Sequence, residues 1–117
     1  MKVIIAGGRD FNQYEVLKDY CDKMLSQQSS SIEIVSGTAK GADQLGERYA
    51  KERGYPIKRF PADWDKHGKA AGPLRNKEMA DYATALIAFW DEQSKGTKNM
   101  IETAKSLGLK VRVCHYL

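Results

Sequence analysis

The chain has 117 residues, 42% of them hydrophobic and 29% charged, a balance that lets a single domain bury a two-sided core and argues against disorder. Its formal net charge of +4 favours anionic partners but falls well short of the dense basic stripe of a dedicated DNA-binding domain. No apolar run approaches the ~18 residues needed to span a bilayer, which excludes a transmembrane helix.

The opening "MKVIIAGGRD" lacks the long apolar region and small-residue cleavage site of a secretory signal, so a cytoplasmic location is expected. Residues 2–6, "KVIIA", form a nearly continuous β-branched run ending at Gly7 and Gly8, the pattern of a strand buried on both faces. Asp10 is a candidate cap for a helix in which Tyr14, Leu17, Cys21, Met24 and Leu25 recur at helical spacing; Ser29–Ser31 break it. "IEIV" (32–35) is the second strand. The following helix carries Ala42, Leu45, Tyr49 and Ala50 on one face and closes at Gly54. "YPIKRF" reads as a third, more polar strand at a sheet edge.

Residues 61–72 are irregular. Pro73 suits the first turn of a helix running to Ala83 and places Arg75 in that turn. "TALIAFW" (84–90) is a strongly apolar fourth strand, "DEQSKGT" a polar loop, and Met100, Ile101, Ala104 and Leu107 mark a last helix closed by Gly108. "LKVRVCHY" alternates as a fifth, edge strand should. Cys21 and Cys114 lie far apart inside apolar patterns and are expected as free thiols.

Strictly alternating strands and helices imply one domain, residues 1–117. It is an α/β fold with a five-stranded parallel sheet in the order 3-2-1-4-5 and four helices divided between its two faces. Ligands of such sheets bind beyond the carboxyl ends of the strands, where strand order reverses. The segments at those ends are "GGRD", "SGTAKGAD", "PADWDKHGKAAGPLRN" and "WDEQSKGT", all carrying glycine or short polar side chains. The opposite ends carry nothing comparable.

In "SGTAKGAD", residues 36–43, Ser36, Gly37, Thr38, Lys40 and Gly41 suit a loop whose amides meet a phosphate at a helix N-terminus, with the Ala42 amide beside them. A glycine-bearing turn with no ligand explains the same stretch. Asp43 would repel an anion, so bracing the loop or meeting ribose hydroxyls suits it better. Arg75 works against the helix dipole and suits a bidentate clamp on an anion, the alternative being a surface pair with Glu78; Asn76 follows it. Gly8 and Arg9 extend the anion site from the first strand, unless Arg9 pairs with Asp10 or Asp43. Ser94, Gly96 and Thr97 repeat the small-residue loop before a helix N-terminus. Trp64 and Trp90 are candidates for base stacking, Trp90 equally for the core edge. Asp10 and Asp91 are further candidates for ribose contacts. His67 and His115 stand isolated, so no metal and no cofactor is expected.

Together "GGRDF", "SGTAKGAD", "GPLRNKEM" and "AFWDEQSKGTKNMI" resemble the YspA-type proteins of the SLOG superfamily, whose relatives include the LOG phosphoribohydrolases and the DNA-processing protein DprA. The resemblance runs over nearly the whole chain. It implies a three-layer Rossmann-like domain with a pocket for a nucleotide or nucleotide-derived ligand, in a protein of bacterial or phage origin, and pairing into a homodimer. "SGTAKGAD" is similar to the S-G-x-A-x-G-[IA]-D loop of DprA, and "PLRN" to its P-x-R-N. LOG enzymes carry P-G-G-x-G-T-x-x-E after the fourth strand. Here Gly96-Thr97 matches the G-T while Met100 stands at the position of the catalytic glutamate, and a thioether cannot serve as acid or base. Glu102 lies elsewhere on that helix, leaving Glu78, Asp91 or Asp10 as substitutes. The expected function is therefore binding of a nucleotide-like small molecule. Hydrolysis of a nucleotide N-glycosidic bond is the second reading. Binding of single-stranded nucleic acid is the third, disfavoured by the modest charge.

Overall fold

The computed structural model describes residues 1–26 and 31–116. Five strands form one parallel sheet in the order β3-β2-β1-β4-β5, as the alternating pattern implies: β1 (Lys2–Gly7), β2 (Glu33–Ser36), β3 (Ile57–Arg59), β4 (Ala85–Trp90) and β5 (Lys110–His115). Four long helices cover it, α1 (Tyr14–Leu25), α2 (Ala42–Arg53), α4 (Ala71–Tyr82) and α5 (Lys95–Ser106). The stretch read as irregular holds a one-turn helix, α3 (Trp64–His67), and a 3-10 turn over Gly68–Ala70. Its helical turn was hidden because it buries no residue and so carries no apolar period.

The pleat of β1 divides the core. Val3 and Ile5 join Phe11, Leu17, Cys21, Ile34 and Tyr49 under α1 and α2. Ile4 and Ala6 point the other way, into Val35, Met79, Leu86, Met100 and Ile101 beneath α4 and α5. Each fully buried aliphatic chain contributes roughly 1.5–3 kcal/mol, so the two layers supply the bulk of the stabilisation. Leu107, expected among them, lies just beyond the end of α5 and is exposed.

Two helix starts differ from the sequence reading. Asp10 does not cap α1, whose cap position is Gln13; the Asp10 carboxylate accepts instead from the Tyr116 hydroxyl at 2.7 Å. The helix expected from Pro73 starts at Ala71, directly from the 3-10 turn, so Arg75 lies in its second turn. Of the Ser29–Ser31 break, Ser29 and Ser30 fall outside the described residues. Cys21 and Cys114 are free thiols, and among the described residues no helix is long and apolar enough to cross a membrane.

The seating of α2 on β1 depends on Gly46. A Cβ there would stand 2.8 Å from Cγ2 of Ile5 and 2.9 Å from its Cβ. In an open helix Gly→Ala stabilises by about 1 kcal/mol, whereas overpacking costs about 1–3 kcal/mol. Gly46→Ala should therefore lower stability by up to about 2 kcal/mol in urea unfolding; a stabilised variant would show that α2 is not seated this closely.

Candidate functional site

At the carboxyl ends of the strands a cleft of about 310 Å³ opens between the β1–α1 loop, α3, α4 and the first turn of α5. A second lobe of about 420 Å³ adjoins it, walled by the β2–α2 loop with Pro61 and Ala62. Arg9, Ala39, Trp64 and Arg75 border both lobes and form the waist between them. Ala6, Met79 and Met100 supply an apolar floor.

Arg75 crosses this waist. Its Nη1 donates to the Gly37 carbonyl and its Nε to Oδ1 of Asn76 at 3.1 Å, which ties α4 to the β2–α2 loop. Among the described residues Nη2 has no hydrogen-bond partner, and no carboxylate pairs with the guanidinium, so the expected alternative with Glu78 does not form. Asn76 is buried, and its amide donates to Asn99 at 2.9 Å and to the Gly96 carbonyl at 3.4 Å, coupling Arg75 to the start of α5. Burial, and the charge of Arg9 nearby, lower the proton affinity of Arg75, while Asp43 raises it. At neutral pH it remains charged.

The two small-residue loops differ. At α5 the Ser94 side chain accepts from the Thr97 amide at 3.3 Å, and Ser94, Lys95, Gly96 and Thr97 all face the cleft. The start of α2 is instead covered. The Gly8 carbonyl accepts the Ala42 amide at 3.2 Å, and Gly41, at φ +79°, lies so close that a Cβ would stand 2.3 Å from that carbonyl oxygen and 2.6 Å from the backbone of Arg9. Gly41 is there for close backbone approach in a left-handed conformation, a fit that other residues resist.

Further along the same loop, Thr38 also adopts a positive φ, +65°, a strained state for a β-branched residue that costs about 1–3 kcal/mol. Ser36 holds it there, accepting from the Thr38 amide at 3.1 Å and donating to Glu47 at 2.7 Å, while Arg59 braces Glu47 at 2.9 Å. Gly37, Thr38 and Lys40 line the outer lobe.

Asp43 is 5% exposed, and among the described residues it is the one carboxylate on the wall of either lobe. Its Oδ2 accepts from the Ala39 amide at 3.1 Å, bracing the loop. Burial pushes its pKa up to about 6, against the lowering influence of that amide and of Arg75. Trp64 is 48% exposed at the mouth, its ring beside Gly72 and the Arg9 guanidinium 5.7 Å from its centroid. Arg9 forms no ion pair with Asp10 or Asp43.

Six of the expected site residues stand off the cleft wall. Gly8 and Gly41 are consumed in backbone packing, and the Ser36 hydroxyl in its hydrogen bonds. Asp10 is held by Tyr116. Trp90 ends β4 with its indole N–H on the Ser94 carbonyl at 3.1 Å. Asp91 accepts from the Gln93 and Ser94 amides at 2.9 and 2.8 Å, which hold its pKa below the usual carboxylate range and make it the turn before α5. Glu78 and Glu102 are exposed and off the wall, whereas Met100 is on the floor at 1% exposure. Among the described residues no three His, Cys, Asp or Glu side chains gather in a metal-binding group. Sequence reasoning missed Lys69, Lys95, Asn99 and the support from Glu47 and Arg59. Helical spacing pointed to two of these: Asn99 shares a face with Gly96, three residues earlier, and Glu47 with Asp43, four earlier.

Fold and cleft thus define a Rossmann-like α/β domain with a pocket at the carboxyl ends of its parallel strands. The model of the YspA, cpYpsA-related SLOG family matches residues 1–67, and the Gene 61 protein of Mycobacterium phage D29 is 32% identical over 116 residues, covering 94% of this chain and 93% of that protein. The chain belongs to the YspA, cpYpsA-related SLOG family, membership that supports a nucleotide-related binding domain. No solved structure matches it. The family match ends at His67, so Arg75, Asn76 and the α5 turn enter the site on their geometry alone.

Asp43 has a measurable signature. Its pKa rises from about 3.9 in the unfolded chain to about 6, so it holds its proton more tightly when folded. Its contribution to stability is full below pH 4 and is lost as pH rises through 6. Asp43→Asn keeps an acceptor for the Ala39 amide and removes the titration, while Arg75 loses a nearby charge. At pH 7.5 the variant should be the more stable by on the order of 1–2 kcal/mol in urea unfolding, with little difference at pH 4. An equal difference at both pH values would contradict a raised pKa.

Proposed function

We propose that the domain binds a nucleotide or nucleotide-derived ligand in this cleft and acts by sensing or holding it. The observation that carries the reading is Arg75: a guanidinium fixed by a main-chain carbonyl and an asparagine, with Nη2 unpaired among the described residues, lining the same lobe as the first turn of α5. An anionic group between them gains a charge-assisted hydrogen bond and the favourable end of the helix dipole. The half-exposed Trp64 ring and the methionine floor suit a planar heterocycle, and 310 Å³ falls at the lower end of the range for small-molecule sites. Residues 36–41 contribute less directly than their composition implied, with Gly37, Thr38 and Lys40 bordering the outer lobe.

Hydrolysis of an N-glycosidic bond keeps one specific support, the placement of Asp43 on the wall with a pKa raised toward neutrality. That reading predicts free base in the incubation mixture, lost in Asp43→Asn.

Thermal unfolding with AMP, ADP, ATP and inorganic phosphate tests binding. A nucleotide at a hundred times its Kd adds roughly 2.7 kcal/mol, a shift of roughly 10 °C for a chain of this size. Arg75→Ala should abolish the shift, and Arg75→Lys, which keeps charge without the planar fork, should restore only part of it. A wild-type protein indifferent to every nucleotide would reject the proposal.

A further inference from the structure

Charge is concentrated at the cleft. Of the chain's 19 Lys and Arg, five border the two lobes: Arg9, Lys40, Lys69, Arg75 and Lys95. Of its 15 Asp and Glu, only Asp43 does, leaving 14 of each sign elsewhere to cancel. The formal net charge of +4 is therefore carried by the cleft. None of the five cations forms an ion pair among the described residues, although Lys18, Arg48, Arg53, Arg59 and Lys77 all do.

A single phosphate between Arg75 and the α5 turn would leave Arg9, at the waist, and Lys40, beyond it, uncompensated. Arg9 borders both lobes, Lys40 borders the outer one, and Arg9 lies close enough to Arg75 to disfavour its charge. Two guanidiniums held at a waist, with one carboxylate buried behind them, match an anion longer and more highly charged than one phosphate. The concavity of both lobes favours a small molecule over an extended strand.

Resting on the nucleotide reading above, we infer that the ligand is a nucleoside diphosphate or a molecule built on one. Its first phosphate lies between Arg75 and the α5 turn, and its second at Arg9 and Lys40, leading into the outer lobe.

Calorimetric titration of the full chain with AMP, ADP, inorganic pyrophosphate and a short oligothymidylate tests this. ADP should bind at least tenfold more tightly than AMP and than pyrophosphate. Lys40→Ala, whose side chain borders only the outer lobe, should cut the preference for ADP over AMP at least threefold while changing AMP itself by less than about threefold. The Lys40 side chain is exposed, so the variant should unfold at the wild-type temperature. AMP equalling ADP would overturn the second phosphate site and leave a mononucleotide pocket standing. Pyrophosphate equalling ADP would overturn the nucleoside part. An oligonucleotide binding more tightly than ADP would overturn the small-molecule assignment, and no binding of AMP or ADP would remove the nucleotide reading as well.

Discussion

The Gly8 carbonyl fixes how everything around the cleft is placed. It accepts the amides of Phe11 and Ala42, both at 3.2 Å, and so lays the β1–α1 loop flat against the start of α2. The contact is possible because Gly41 presents no side chain. It anchors Phe11 in the core, where its ring stacks on Phe89 at 5.0 Å, and it directs Arg9 outward over Trp64. It also covers one of the two helix N-termini that could have met an anion. The other, at α5, keeps its opening, and the cleft forms on that side.

The second constraint is electrostatic. Asp43 and Arg75 flank Gly37 from either side without reaching ion-pair distance, a Cβ at that glycine lying 2.8 Å from the carboxylate and 2.7 Å from the guanidinium. The carboxylate is held by the Ala39 amide, and the guanidinium by the Gly37 carbonyl and Asn76, rather than by each other. A direct pair would neutralise both. Held apart, they leave the guanidinium its attraction for an external anion and the carboxylate a pKa near 6. The strained Thr38, kept at positive φ by Ser36 and Glu47, fits the same pattern of a loop whose geometry is imposed by its surroundings.

The fold was legible because its signals are local. β-Branched runs, helical spacing and turn residues yielded the strand order and the α/β architecture with few errors at the boundaries. The site was legible only as a neighbourhood. That Arg75, Asn76, Thr97 and Trp64 share one cleft follows from their all lying at the carboxyl ends of strands, which the topology implies. Whether the amide of Ala42 or that of Gly96 is open depends on where Gly8 comes to rest, a tertiary contact without a sequence period. The same limit applied to Asp91 and Asp10, whose carboxylates could not be told apart from ligand-facing ones until the turn amides and Tyr116 were seen to occupy them. Asp43 was recognised as a brace, but its place as the cleft's carboxylate depended on tertiary burial that has no sequence period.

The placement of α5 over β4 and β5 has a consequence for the pace of encounter. Its first turn faces the cleft with Lys95 at the rim, while the remaining surface carries equal numbers of positive and negative side chains. The molecule therefore presents an incoming anion with a directed field rather than a diffuse one. Such a field guides diffusing partners toward one end of the sheet and is screened within about 8–10 Å at ordinary ionic strength. An anion that binds at this cleft would accordingly arrive fastest in dilute salt, and added electrolyte would slow its arrival more than hasten its departure.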